Sequence, residues 1–149
     1  MFMMLNPSTA DADIDDNTIR RCIGFAKLWG YGGLMVGNLF AFRSTKPDLL
    51  LQQGNPIGPH NDHYLTEMVK QAEIIVLAWG NADIVNRIAK LYPNYKPLNL
   101  LPLEKLYCLR LGSEATGSHP VHPLYQKTTT PLIKLNLQSK NNKLCLQTS

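Results

Sequence analysis

The sequence is poor in cysteine, poor in charge and without a long apolar run, and each shortage excludes a class of protein. Its three cysteines, Cys22, Cys108 and Cys145, are odd in number and widely spaced, so neither a disulfide framework nor a cysteine zinc cluster is implied. Reduced, buried thiols are expected. Charged residues make up 17% of the chain and hydrophobic residues 44%, a composition that builds a packed core and lies far from disorder. The longest apolar run, Ile74 to Trp79, is strand-sized and well short of the roughly 18 residues that cross a bilayer. No membrane span is predicted. The opening Met-Phe-Met-Met-Leu lacks a basic leader and meets Asn6-Pro7 before a signal peptide's apolar core would be complete. It reads as the first strand of a cytoplasmic protein, and 149 residues leave room for one domain.

The formal charge of +4 is unevenly distributed. Residues 1–125 hold eleven Lys and Arg against eleven Asp and Glu, whereas Lys127, Lys134, Lys140 and Lys143 follow in a stretch that has no acid after Glu114. Residues 1–126 are therefore read as a single α/β domain and residues 127–149 as a basic, poorly ordered tail.

Apolar spacing predicts alternating strands and helices. Phe2 to Leu5 reads as a buried strand that stops at the Asn6-Pro7-Ser8-Thr9 cluster. Ile19, Cys22, Ile23, Ala26 and Trp29 fall at helical spacing behind an aspartate cap, and Leu34 to Phe40 reads as the next strand. Ala41 to Pro59 is a long loop with one helical turn around Asp48 to Gln52. A helix follows from His60 to Ala72, then a strand at Ile74 to Ala78, a helix at Ala82 to Leu91 and a fourth strand at Leu106 to Leu109. Gly112 to Tyr125 reads as a loop with two His-Pro pairs. The predicted architecture is a three-layer α/β sandwich on a four-stranded, mainly parallel sheet. Ligands of such sheets sit beyond the carboxyl ends of the strands, which here are Asn6 to Thr9, Asn38 to Arg43, Trp79 to Asn81 and Gly112 to His122.

Three constellations carry chemistry. The acidic stretch Asp11, Asp13, Asp15 and Asp16 fails as a calcium loop, because its sixth and twelfth positions are Asp16 and Cys22 where Gly and Glu are needed; helix capping explains Asp15 and Asp16. His60 with His63 and His119 with His122 are two H-x-x-H pairs that would serve a metal-dependent hydrolase if they met. Asn6 and Asn38 both stand at strand ends, where an amide must satisfy its donors and acceptors in a site or in a local turn.

The strings L-N-P-S-T-A-D, D-N-T-I-R-R-C-I-G-F-A, W-G-Y-G-G-L, N-L-F-A-F-R and H-P-V-H-P-L-Y, which span the chain before Gln126, closely resemble a bacterial and phage family, the domain of unknown function 1643 (DUF1643). Members of that family usually carry residues ahead of the first strand, so an N-terminal segment is expected to be missing here. In order and position the strand-end segments also resemble the uracil-DNA glycosylase superfamily, with N-P after one strand, V-G-N-L, L-A-W-G-N-A and a loop with H-P. That resemblance implies a glycosylase-like fold and a hydrolase that excises a nucleobase from DNA. Asn6 would place the attacking water, His119 or His122 would donate to the departing base, and Asn38 would read the base edge. Phe40, Phe42 and Trp79 would stack, while Ser8, Thr9, Arg43 and Asn81 would serve as phosphate or loop contacts. DNA or a nucleotide is the implied partner of a monomer, and neither a metal nor a cofactor is implied. A non-catalytic nucleotide- or nucleic-acid-binding module on the same fold is the alternative.

Overall fold

The computed structural model describes residues 1–9, 16–95, 97–114, 117–140 and 143–148. Strand β1 (Phe2–Met4) leads to helix α1 (Asn17–Leu28), then β2 (Val36–Asn38), helix α2 (Asn61–Gln71), β3 (Ile75–Leu77), helix α3 (Ala82–Leu91) and β4 (Leu106–Cys108). Strands β5 (Leu111–Glu114) and β6 (Gly117–Pro120) follow, and β7 (Ile133–Lys140) and β8 (Lys143–Thr148) close the chain. The main sheet runs β2-β1-β3-β4-β7-β8, with β2, β1, β3 and β4 parallel and β7 antiparallel to β4.

Two expectations need correction. The sheet is mixed and longer than the four strands expected, because Tyr107 and Cys108 pair with Lys134 and Ile133 in the stretch read as a poorly ordered tail. The supposed loop from Gly112 to Tyr125 is largely a second, two-stranded sheet in which Gly112 faces His119 and Leu111 faces Pro120. Prolines and polar residues hide the hairpin from a pattern search that depends on apolar alternation, whereas Ile133, Leu135 and Leu137 do alternate with polar residues and are obscured by the basic charge of their stretch.

Alternation along the strands divides the core. Met3 of β1 and Leu5 just after it, Ile75 and Leu77 of β3 and Leu106 and Cys108 of β4 pack with Leu65 and Val69 of α2 and Ile84 and Ile88 of α3. The opposite residues Phe2, Met4, Val76 and Ala78 pack with Cys22 and Phe25 of α1. Each fully buried side chain of this size stabilises the fold by roughly 1.5–3 kcal/mol, so the two apolar faces hold the helices on opposite sides of the sheet. Asp16 caps α1, its Oδ1 accepting from the Thr18 N–H at 2.7 Å. Asn81 caps α3, its side-chain oxygen accepting from the Ile84 N–H at 3.1 Å.

Candidate functional site

The strand order sets where an open α/β sheet would offer a binding position. After β1 the chain passes through α1, on one face, to β2; after β3 it passes through α3, on the other face, to β4. Adjacent strands whose connections leave to opposite sides form the switch point of an open α/β sheet. Asn6 and Gly80-Asn81 follow the two strands that border it, and Asn38 ends β2 on the far side of β1.

Asn6 is held by its nitrogen. Its Nδ2 donates to Ser44 O at 2.7 Å and Pro7 O at 3.0 Å, with Phe42 O at 3.4 Å. An oxygen in that position would face three other oxygens, so the amide has one tolerable orientation. The Ser44 N–H donates to Pro7 O at 2.9 Å and Arg43 Nε to Ser8 O at 3.2 Å, which staples the loop after β2 to the loop after β1. Among the described residues Asn6 Oδ1 accepts no hydrogen bond.

Asn38 ends the neighbouring strand in register with Met4. A Cβ on Gly37 would strike Leu65 on the α2 side, so alternation turns the Asn38 side chain toward the α1 side. Its amide makes no hydrogen bond among the described residues, while its backbone oxygen accepts from Asn61 Nδ2 at 3.0 Å. The next carbonyl, Leu39 O, accepts from Asn61 Nδ2 at 3.1 Å and from the Tyr95 hydroxyl, a phenol whose pKa burial pushes up. Asn61 and Tyr95 thus fix the end of β2 from behind. Sequence reasoning missed both, and only the start-of-helix position of Asn61 pointed to it.

The two histidines part company. His119 is buried in the hairpin, where its imidazole lies so close to Gly112 that a Cβ there would stand 2.7 Å from Cε1. His122 sits over the end of β3. Gly80, at φ +70°, donates its N–H to Pro120 O at 2.9 Å, and a Cβ on it would meet His122 Cβ at 2.6 Å. His122 Nδ1 accepts from the Leu124 N–H at 3.3 Å and caps the 3-10 turn Pro123–Tyr125, so in the neutral ring the proton is on Nε2. Burial lowers the His122 pKa below its ordinary value, and the Asp16 carboxylate partly offsets this. Tyr125, exposed over 80% of its surface, holds its ring 5.9 Å from that of His122; neither it nor Asp16 was anticipated beside the histidine.

Other expected residues serve the fold. Phe40 and Trp79, expected to stack on a base, are 2% and 5% exposed and belong to the larger core cluster; Trp79 keeps the parity of Ile75 and Leu77, while Phe40 lies past the end of β2 and joins the same cluster from the loop. Phe42 is half-buried against the same cluster. Asn81 is committed to its helix cap. Ser8 contributes its backbone oxygen to Arg43, and Thr9 is exposed. His60 and His63 are exposed at the start of α2, His63 edge-on to Tyr64; no group of three or more His, Cys, Asp or Glu suited to a metal ion occurs among the described residues. Asp11, Asp13 and Asp15 lie outside the described residues. No described helix is long and apolar enough to cross a membrane.

A family model for proteins of unknown function, DUF1643, matches residues 1–124. The chain belongs to the DUF1643 family. The DUF1643 match takes in Asn6, Asn38 and both histidines of the His-Pro segment and stops short of Tyr125, β7 and β8. No curated protein and no solved structure matches the chain.

The link between Asp16 and His122 is testable without disturbing the cap. Asn caps helices as well as Asp, so Asp16→Asn is expected to leave stability within about 0.5 kcal/mol of the parent while lowering the His122 pKa further, as read by NMR titration of the imidazole. Because the folded protein holds His122 below its ordinary value of 6.5, the unfolded chain takes up the proton first on acidification. Stability is therefore expected to fall as the pH drops below about 6.5, and denaturant midpoints should show this fall flattened in His122→Gln.

Proposed function

We propose that the switch-point crevice binds a nucleobase carried on DNA and hydrolyses its N-glycosidic bond. The observation that carries the reading is the pair of strand-end amides: Asn38 has both polar atoms unspent among the described residues, and Asn6, one strand over, has only its oxygen unspent. A half-buried amide without an internal partner is satisfied by water or by a ligand, and the donor–acceptor pair of Asn38 suits the polar edge of a pyrimidine.

The chemistry assigns each group a modest task. Asn6 Oδ1 accepts a hydrogen bond from a water and holds it beneath the sugar, a positional effect. The water oxygen bonds to the anomeric carbon, the carbon–nitrogen bond breaks with its electron pair on the base, and the surplus water proton passes to solvent. His122 Nε2–H donates to the base oxygen where that charge gathers, which can be worth about 3 kcal/mol for a well-aimed donor. His122 is preferred to His119 because it lies over the strand end instead of inside the hairpin.

A second reading, a nucleotide- or nucleic-acid-binding module without hydrolysis, is favoured by the character of Asn6, since an amide takes no proton from water. Duplexes bearing uracil, mismatched thymine or modified cytosine, incubated with the protein and cleaved with alkali, separate the two. Strand scission supports excision; binding with intact strands supports the module; neither binding nor scission removes both. Asn38→Ala is expected to weaken binding of the accepted base roughly 10- to 100-fold, the loss of about 1–3 kcal/mol for a paired contact, with unchanged thermal stability because the amide has no partner among the described residues.

A further inference from the structure

We infer that the accepted base stacks on the ring of Tyr125, a substrate-binding residue beyond the two amides and the histidine; the inference rests on the nucleobase reading above and supplies the aromatic face which that reading requires. A base swung out of its own stack is held by hydrogen bonds to its edge and by an aromatic surface. Phe40 and Trp79 cannot serve, because both are in the core. Among the described residues no large hydrophobic side chain is more exposed than Tyr125, at 80%. Its ring centre lies 5.9 Å from that of His122, with the two planes 49° apart. Folding gains little from a ring left in water, so this surface is open to a ligand at the position where His122 would meet the base.

The turn that carries the ring is pinned on both sides. Pro123 fixes the backbone at its start, the His122 ring caps it, and the Tyr125 N–H donates to His122 O at 3.4 Å. Beyond the ring the Gln126 N–H donates to Pro123 O at 3.1 Å, and Gln126 O and Thr128 Oγ1 accept from the terminal nitrogens of Arg21 on α1. A tyrosine has only two side-chain torsions to fix, so a ring on a held turn binds at low entropic cost. The spacing suits one base meeting both rings. An oxygen about 2.9 Å from His122 Nε2 stands about 4 Å from the imidazole centre, and a stacked base lies about 3.4 Å from the phenol ring. Together these reaches exceed the 5.9 Å between the ring centres, so a single base can accept from His122 while it covers Tyr125. Stacking tolerates any base, because every base has a π face. Tyr125 therefore sets how tightly a base is held, and Asn38 sets which base.

Anisotropy of a labelled single-stranded oligonucleotide that carries one base among abasic positions, uracil, thymine or cytosine in turn, separates the contribution of the base from that of the backbone. The fully abasic strand is the reference, and 2′-fluorination of the base-bearing nucleotide slows cleavage of its glycosidic bond. Tyr125→Ala is expected to weaken binding of the preferred base-bearing strand roughly 5- to 100-fold, to leave binding of the abasic strand as it was and to keep the order of preference among the bases. Tyr125→Phe retains the ring and is expected to bind within about 2-fold of the parent. Tyr64→Ala, which removes another exposed tyrosine beside a histidine, His63, is expected to change nothing. A wild-type gap between base-bearing and abasic strands in Tyr125→Ala, a reordered base preference there, or a loss shared by Tyr125→Phe or Tyr64→Ala overturns the stacking role while leaving the base site standing. Wild-type protein that binds every base-bearing strand no better than the abasic one overturns both together.

Discussion

Replacing Asn6 by Asp is expected to destabilise the protein more than replacing it by Ala, although Asp is the closer mimic in shape. The Asn6 nitrogen donates into a cluster of the Pro7, Phe42 and Ser44 carbonyl oxygens. Alanine leaves those oxygens short of a donor, at a cost of about 2 kcal/mol. A carboxylate puts a fourth oxygen, and a charge, where the donor was, and the loss is expected to be about twice as large. The pH dependence distinguishes the two causes. In Asn6→Asp the folded state favours the protonated carboxyl, which donates again, so its pKa is raised above the ordinary value of about 3.9. The stability that proton supplies is complete below that value and is lost as the pH rises through the raised one. Urea denaturation should therefore find this variant relatively stronger at pH 5 than at pH 8, opposite in sign to the His122 contribution. Equal losses for Ala and Asp, with parallel pH profiles, would show that the clamp on the loop after β2 is not made by this nitrogen.

A methyl group on Gly80 is expected to cost about 3 kcal/mol and to abolish the proposed nucleobase binding. Two terms add. The residue holds φ +70°, which costs an L-residue roughly 1–2 kcal/mol, and its Cβ would lie 2.6 Å from His122 Cβ and 3.2 Å from His122 N. Backbone cannot swing aside as a side-chain tip can, so His122 must move. Two other glycines separate the terms. Gly30 has φ +80° with nothing within 4 Å of an added Cβ, so Gly30→Ala should show the conformational cost alone, about 1 kcal/mol. Gly37 lacks the positive φ, and its Cβ would meet Leu65 Cδ2 and Met1 Cε at 2.7 Å, the far ends of flexible side chains, so Gly37→Ala should cost about 1 kcal/mol by repacking. Thermal denaturation of the three variants, with Gly80→Ala no worse than Gly30→Ala, would mean that His122 is not pressed against the turn.

The elements that were legible are those whose cause is local. The helix expected at Ala82 to Leu91 is found over those residues because Asn81 supplies its own cap and the apolar residues repeat at helical spacing. The aspartate-capped first helix and the four parallel strands follow from the same kind of signal. The hairpin at Gly112 to Pro120 has little apolar alternation, so its pairing was not legible, whereas Ile133, Leu135 and Leu137 alternate with polar residues and mark a strand that the basic charge of the stretch obscured. The strand-end positions of Asn6 and Asn38 were legible; that Asn6 spends its nitrogen on residues 36 and 38 positions away was not.

The amino-acid order by itself determined the class of the fold, the family and the short list of polar groups at the strand ends, because helix caps, apolar spacing and motif strings all act between near neighbours in the chain. Only the tertiary structure decided what each of those groups has left to offer. It directed Phe40 and Trp79 into the core, confined His119 to a hairpin, set His122 against Gly80 and left Asn38 with its amide unspent among the described residues. The physical reason is that a hydrogen-bonding group is used up by whichever partner reaches it, and for these residues the deciding neighbours come from distant parts of the chain brought together by the order of the strands.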